Sequence, residues 1–351
     1  MTDWHSTFMC ERKIRKRIAS YHPDVIVSVH PAMNYAPLKS VQALSKETGK
    51  HIPFFTVVTD LGSGHATWFQ KNVDRIYVAS ERIRRLTKRR GNTPDDRIVM
   101  AGLPIRHDFA VQAEQMGDRT TPEGMAYRKE VQAQLGLPAD KPMILLMGGG
   151  EGVGSLEAQV EALYKSLRRQ GMDATLCVVC GRNEALKTRL AERDWRNVKL
   201  EPTTKKGKKR AKDVPMTHNL GDVSVVGLGF VTDMASYMVA ADVLVSKAGP
   251  GTIAEAASVG LPVMLTSFLP GQEAGNVNYV LENEFGLFCR DSDEMAYEVA
   301  AWLRDPAVMA HMSHAAQNAG QPKAAENIVV DIGSLTHTWM TLSGKTLATG
   351  H

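Results

Sequence analysis

The chain has 351 residues, 43% of them hydrophobic, which is enough for two domains that each bury a core. Lys and Arg number 42 against 38 Asp and Glu, and a net charge of +4 does not argue for a nucleic-acid partner. Its 4 cysteines make no disulfide framework, no apolar run approaches the ~20 residues that cross a bilayer, and the opening MTDWHSTFMC resembles neither a secretory signal nor a transit peptide.

A basic amphipathic helix comes first, carrying Arg12, Lys13, Arg15, Lys16 and Arg17, and it runs directly into an apolar strand at Val25–Val29. A helix is predicted over Val41–Thr48, then strands at Phe54–Val58 and Arg75–Val78. The helix Glu81–Arg90 holds a second basic cluster (Arg82, Arg84, Arg85, Lys88, Arg89, Arg90) and leads to a strand at Ile98–Met100. Four strands fall short of the ~5–6 of an ordinary doubly wound sheet, so the first domain is expected to lack its opening strands. Arg106 to Asp140 is polar, contains Pro122 and Pro138, and reads as a linker with a leading helix. Beyond it, strands are predicted at Met143–Met147, Ala174–Val179, Val223–Gly227, Val243–Val245, Pro262–Leu265 and Gly286–Phe288. Helical segments Leu156–Arg169, Asn183–Arg193, Asp233–Ala240 and Ala254–Val259 alternate with them. Short buried strands alternating with helices mean an α/β fold with parallel, doubly wound sheets. The expected domains are 1–120, 121–335 and a tail at 336–351. Cys177 and Cys180 form a C-x-x-C inside a strand, where this spacing points the thiols to opposite faces, so both are read as core residues.

Ligands bind open α/β sheets at the carboxyl ends of the strands, near the point where strand order reverses. Five loops of the second block lie on that edge. MGGGEGVG, from Met147 to Gly154, follows the first strand, and Gly148, Gly149 and Gly150 let backbone approach a phosphate closely. CGRN follows the second and brings Arg182; LGFV follows the third, where the Phe230–Val231 backbone suits the edge of a flat base that Phe230 covers. KAGPGT follows the fourth: Gly249, Pro250, Gly251 and Thr252 open a helix whose N–H groups attract phosphate, with Lys247 beside them. Glu255 lies one turn along, placed to reach a ribose hydroxyl. GQEAGN follows the fifth, where Gln272 and Glu273, with Asn276 in the same motif, suit sugar hydroxyls. Together these loops predict a nucleoside diphosphate that carries a sugar.

Several groups carry two readings. Asp60 ends an apolar strand and His65 follows a Gly-Ser-Gly turn, so the two are either an acceptor-facing pair that includes a general base, or a capping aspartate and a packing histidine. Trp68 and Phe69 suit either a membrane interface or a core. The basic stretch Pro202–Gly221, containing KKGKKRAK, is expected as a disordered or functional loop; with the other basic clusters it offers a surface to anionic lipid. Asp291-Ser292-Asp293 has the spacing of a metal clamp, but it precedes a polar helix and is read as an N-cap. His311 and His314 are read as solvated, and no metal site is expected.

KAGPGT-IAEA, GQEAGN, LLMGGGEG and CGRN, with SVHP at Ser28–Pro31 and VVTDLGSGHATWF at Val57–Phe69, resemble the monogalactosyldiacylglycerol synthase family over nearly the whole chain. A wider resemblance reaches the peptidoglycan N-acetylglucosaminyltransferase. The resemblance implies the GT-B architecture, two Rossmann-like domains facing a cleft. It implies inverting transfer of galactose from UDP-galactose to diacylglycerol, with no metal or other cofactor, at the plastid envelope membrane. It places the diphosphate on Gly148–Gly150 and Ala248–Thr252 beside Lys247, the ribose on Glu255, the uracil at Phe230–Val231, and the galactose on Gln272 and Glu273. The family's glycine-rich, histidine-bearing acceptor loop has no counterpart before Val25, which leaves His30, Asp60 and His65 on that side. The stretch at 202–221 replaces a short connection in the family.

Overall fold

The computed structural model describes residues 2–148, 156–214 and 216–342. The chain divides into two units, Met1–Ile105 with Lys323–His351, and Arg106–Pro322. The division precedes the boundary expected at residue 120, and the expected tail is, as far as Leu342, part of a helix of the first unit. The ten strands of the described residues lie where the apolar runs put them.

The first unit runs α1 (Thr2–Ala19), β1 (Ile26–Ser28), α2 (Tyr35–Thr48), β2 (Phe54–Val57), β3 (Arg75–Val78), α3 (Glu81–Gly91) and β4 (Ile98–Met100). Its strands pair in parallel in chain order, β1-β2-β3-β4. Every residue of β2 is buried, because helices cover both faces of the sheet. Phe54, Ile76 and Val78 share one core with Leu38, Val41 and Ile83 of α2 and α3. Phe55, Val57 and Tyr77 point the other way, onto Ile328 and Ile332 of the last helix, Ala324–Leu342. That helix is pinned by Asp331, which accepts from Arg75 at 2.7 and 2.8 Å and from the Tyr77 hydroxyl at 2.7 Å. Trp68 and Phe69 are 1% and 5% exposed and belong to the α2/α3 core. Of their two readings, the core one holds.

The second unit opens with α4 (His107–Met116) and α5 (Pro122–Gln134), the stretch expected as a linker. It continues with β5 (Met143–Met147), α6 (Leu156–Arg169), β6 (Ala174–Val179), α7 (Glu184–Glu192), α8 (Lys205–Asp213) and β7 (Val223–Leu228). Then come α9 (Met234–Ala240), β8 (Val243–Lys247), α10 (Pro250–Ser258), β9 (Val263–Ser267), α11 (Ala274–Glu282), β10 (Gly286–Phe288), α12 (Ser292–Arg304) and α13 (Pro306–Ala319). The closing helix of the chain, Ala324–Leu342, is α14. The parallel sheet has the order β10-β9-β8-β5-β6-β7, so the chain reverses direction between β5 and β8. Ile144 and Leu146 of β5, Leu176 and Val178 of β6, and Val243 and Val245 of β8 share a core with α6, α7 and α12. Cys177 and Cys180 are buried and free, as expected.

The basic stretch is not a disordered loop. Residues 205–213 form α8, capped by Thr204, whose Oγ1 accepts from Gly207 N at 3.0 Å. The helix lies on α12, with Gly207 against Asp293 and ion pairs from Lys206 to Glu294 and from Arg210 to Glu298. A lysine-rich helix survives here because its inner face meets the carboxylates of α12.

Candidate functional site

β5 and β8 flank the reversal of strand order, so the carboxyl ends of these two strands lie where open parallel sheets take ligands. A register shift between Ser246 and Lys247 pairs Lys247 with Ser267, and such a bulge re-aims a side chain at a strand end. Ala248 is tied down on two sides: its N–H donates to Ser267 O at 2.8 Å, and its carbonyl accepts from Asn276 Nδ2 at 3.0 Å. Asn276 is 1% exposed, so its amide braces the loop from within.

Helix α10 then starts at Gly249, with Pro250 at the first position and no side chain capping it. A side chain added at Gly251 would meet nothing within 4 Å, so the space in front of this N-terminus is open. The first-turn N–H groups and the helix dipole make it positive. Lys247 adds a full charge: a Cβ built on Gly249 would lie 3.4 Å from its Nζ. That ammonium sits 2.5 Å from Glu273 Oε1, and Glu273 Oε2 accepts from Leu269 N at 2.8 Å. The sequence set Glu273 beside a sugar. The structure places it 7% exposed between Lys247 and its own loop, as a bridge between the two glycine-containing loops. Gln272 is exposed on the same turn.

Glu255 is on α10 as expected, and its carboxylate accepts from Arg106 Nε at 2.9 Å. Arg106 in turn lies over the Phe109 ring at 5.0 Å. This arginine was hidden in the expected linker, where no spacing marked it. After β6 and β7, Cys180 N donates to Leu228 O at 2.8 Å and joins the two loops. Arg182 stands over the Phe230 ring at 5.9 Å, and Phe230 is 69% exposed beside the partly exposed Val231. An aromatic face left open to solvent next to a guanidinium is a ready platform for a flat base. Gly148 is exposed, with Leu156 packed where its side chain would start. Gly149 and Gly150 lie outside the described residues.

The first unit carries the other candidates at the carboxyl ends of β1 and β2. Asp60 Oδ2 accepts from the Trp68 indole at 2.8 Å. His65 Nδ1 accepts from Thr67 N at 3.3 Å, and His30 Nδ1 accepts from Ala32 N at 3.2 Å. A ring nitrogen that accepts from a backbone N–H has no proton of its own, so each neutral ring carries its proton on Nε2. The two histidines are therefore posed as donors, and Asp60 is the carboxylate among the three. Asp60 is held by the Trp68 indole and His65 by Thr67.

Asp291 caps α12 as expected, accepting from Glu294 N at 3.0 Å. Asp293 is 3% exposed and receives both Thr203 N and Thr204 N at 2.7 Å. His311 and His314 are exposed, as expected, and His314 also meets Thr120 Oγ1 at 2.7 Å and Asp118 at 3.3 Å. Among the described residues no group of three or more His, Cys, Asp or Glu is placed to hold a metal ion. No helix among them is long and apolar enough to cross a membrane.

Comparison with known proteins bears on the whole chain. The family model for monogalactosyldiacylglycerol (MGDG) synthase matches residues 3–105, and that for the glycosyltransferase family 28 C-terminal domain matches residues 143–328. A probable monogalactosyldiacylglycerol synthase, chloroplastic, of Glycine max is 36% identical over 328 residues, covering 92% of this chain and 54% of that protein. Monogalactosyldiacylglycerol synthase 1, chloroplastic, of Arabidopsis thaliana is 35% identical over 334 residues, covering 94% and 55%. The chain thus spans about half the length of the curated relatives it matches. The crystal structure of Acinetobacter baumannii MurG, 16% identical, shares the fold with a TM-score of 0.61 over 94% of this chain and 80% of that one. With two Rossmann-like units of GT-B type and both family models in chain order, this chain belongs to the monogalactosyldiacylglycerol synthase family of glycosyltransferases.

Proposed function

We propose that this protein transfers galactose from UDP-galactose to the free hydroxyl of diacylglycerol, with inversion at the anomeric carbon. The observation that carries this reading is the open, uncapped N-terminus of α10 at the strand reversal, with the Lys247 ammonium beside it. In this reading the diphosphate sits on the first-turn N–H groups of α10, the uracil on Phe230 and the ribose on Glu255. The galactose meets Gln272, with Glu273 behind it bracing Lys247. The acceptor oxygen bonds to the anomeric carbon on the face away from the diphosphate. The bond from that carbon to the phosphate oxygen breaks, and its electron pair leaves with UDP. Lys247 and the α10 dipole meet the charge that builds on the departing oxygen. The hydroxyl proton passes to Asp60, because His30 and His65 offer protonated Nε2 atoms and serve better to hold the acceptor oxygen.

The setting proposed is the plastid envelope, in keeping with the names of the relatives. The outward lysines of α8 and the clusters on α1 and α3 would hold the protein against anionic lipid. Transfer is tested by UDP release from UDP-galactose with diacylglycerol in mixed micelles, with UDP-glucose and UDP-N-acetylglucosamine as rival donors. The expected product is the β-galactoside, made fastest from UDP-galactose. Glu255→Ala should weaken UDP binding by about tenfold, read by calorimetry. If UDP does not bind, the donor-site reading is wrong. If it binds and no donor supports transfer, the acceptor half is wrong.

A further inference from the structure

The first unit carries another concavity, at the end of its sheet away from His30 and Asp60. Those residues follow β1 and β2, whereas Pro23 and Asp24 of the pocket precede β1, and His51, Ile52 and Pro53 precede β2. The strands are parallel, so the pocket lies at the amino edge of the sheet and is distinct from the acceptor candidates. Its volume is about 360 Å³, inside the range of roughly 300–1,000 Å³ usual for small-molecule sites.

Its chemistry is two-sided. Leu44, Ile52, Pro23, Pro53, Trp339 and Met340 supply an apolar wall, with Trp339 39% exposed. His22, Lys50 and His51 supply cationic or donor groups at the rim. His22 has a left-handed backbone at φ 48°, a conformation disfavoured for a residue with a Cβ, and its N–H donates to Ala19 O at 3.1 Å to hold it there. His51 is positioned twice: Nε2 lies 2.8 Å from Asp74 Oδ1, and its ring is 4.7 Å from that of Trp339. Asp74 pairs with His51, and its other oxygen accepts from Phe54 N at 2.7 Å, which leaves Lys50 as the cation of the rim. Asp24, the carboxylate of the lining, already has a partner. Among the described residues Lys50 has no ion-pair partner.

We propose that this pocket binds a single-chain amphiphile with an anionic head group. The chain lies along Leu44, Trp339 and Met340, and the head meets Lys50 and His22. The proposal does not depend on the donor-site reading and is tested without any sugar nucleotide.

The test is calorimetric titration of the intact chain with decanoate, decyl phosphate and decanol, each below its micelle-forming concentration. Decanoate and decyl phosphate separate a carboxylate from a phosphate head, and decanol removes the charge. The expected result is saturable one-to-one binding of at least one anion, with decanol weaker by about tenfold. Leu44→Trp fills the pocket and should abolish binding, and Trp339→Ala, at a half-exposed position, should weaken it without endangering the fold. Lys50→Glu should weaken the anion about fivefold and leave decanol unchanged. The proposal is overturned if neither anion saturates, if decanol binds as tightly as the anions, or if folded Trp339→Ala and Leu44→Trp proteins both bind with parent affinity.

Discussion

Arg119 is 2% exposed and donates to the carbonyls of Val259 at 2.7 Å, Ala241 at 2.5 Å and Val239 at 3.5 Å. These carbonyls end α9 and α10, so one cation completes two helix C-termini and meets the negative end of the α10 dipole. Burial, then the neighbouring Arg128, press its pKa downward, while Asp242 holds it up. Arg128 also donates to the carbonyls of Val239 and Ala241 at 3.1 and 3.0 Å, so Arg119→Met would orphan the Val259 carbonyl, and chemical denaturation should show a loss of about 2 kcal/mol. Cys177 gives a pH-dependent counterpart. Burial pushes its thiol from the ordinary 9.0 up to about 12. The folded state thus holds this proton more tightly than the unfolded one. The associated stability is intact below pH 9.0 and is lost as pH climbs toward about 12. Denaturant midpoints measured from pH 8 to pH 10.5 should therefore fall more steeply for the parent than for Cys177→Ala. At this scale the sequence located Lys247, Glu255 and Asn276 but not their partners. Arg106 lies 149 residues from Glu255, and no local pattern encodes a pair at that distance.

Among the elements, α8 departs furthest from its sequence reading. Composition alone marks KKGKKRAK as unable to bury a core, and that much is correct: only Gly207 of this helix is buried. What orders it is Asp293, whose Oδ2 receives Thr203 N, Thr204 N and Thr203 Oγ1, and against which Gly207 packs with no room for a side chain. The D-x-D segment is thus both a helix cap and the anchor of its neighbour. Asp293→Ala should release α8, and tryptic cleavage within residues 205–212 should speed up by roughly tenfold while the rest of the unit stays resistant. Gly207→Ala should act in the same direction; mass spectrometry of timed digests reads both. Unchanged cleavage would mean that the ion pairs of Lys206 and Arg210 suffice. The strands were legible because runs such as Val243–Val245 are buried on both faces and read as continuous apolar stretches. Within 106–140 the sequence showed a linker and one leading helix where the structure has α4 and α5, because their apolar residues are sparse and their burial depends on α9 and α10.

The charges act together over the whole molecule. A net charge of +4 conceals clusters on α1, α3 and α8 in a chain of pI ≈ 8.8. If these dock the protein on anionic lipid, sedimentation with vesicles containing phosphatidylglycerol should weaken steeply between low and physiological salt, since exposed charges are screened over about 8–10 Å. Replacing Lys205, Lys208, Lys209 and Lys212 with Glu should weaken it further at fixed salt. Vesicle binding that ignores both changes would remove α8 from the docking surface.

The order of strands and helices, the glycine-rich motifs and the uncapped start of α10 could all be read from residues close together in the chain. They rest on periodicity, glycine spacing and helix-start chemistry, which are local properties. Three other things required the folded chain. The sheet order set the carboxyl ends of β5 and β8 side by side, Arg106 and Lys247 were given their carboxylates, and α14 returned to the first unit to wall the pocket at the sheet's amino edge. Each depends on contacts between segments far apart in sequence, and such contacts exist only once the hydrophobic cores have brought those segments together.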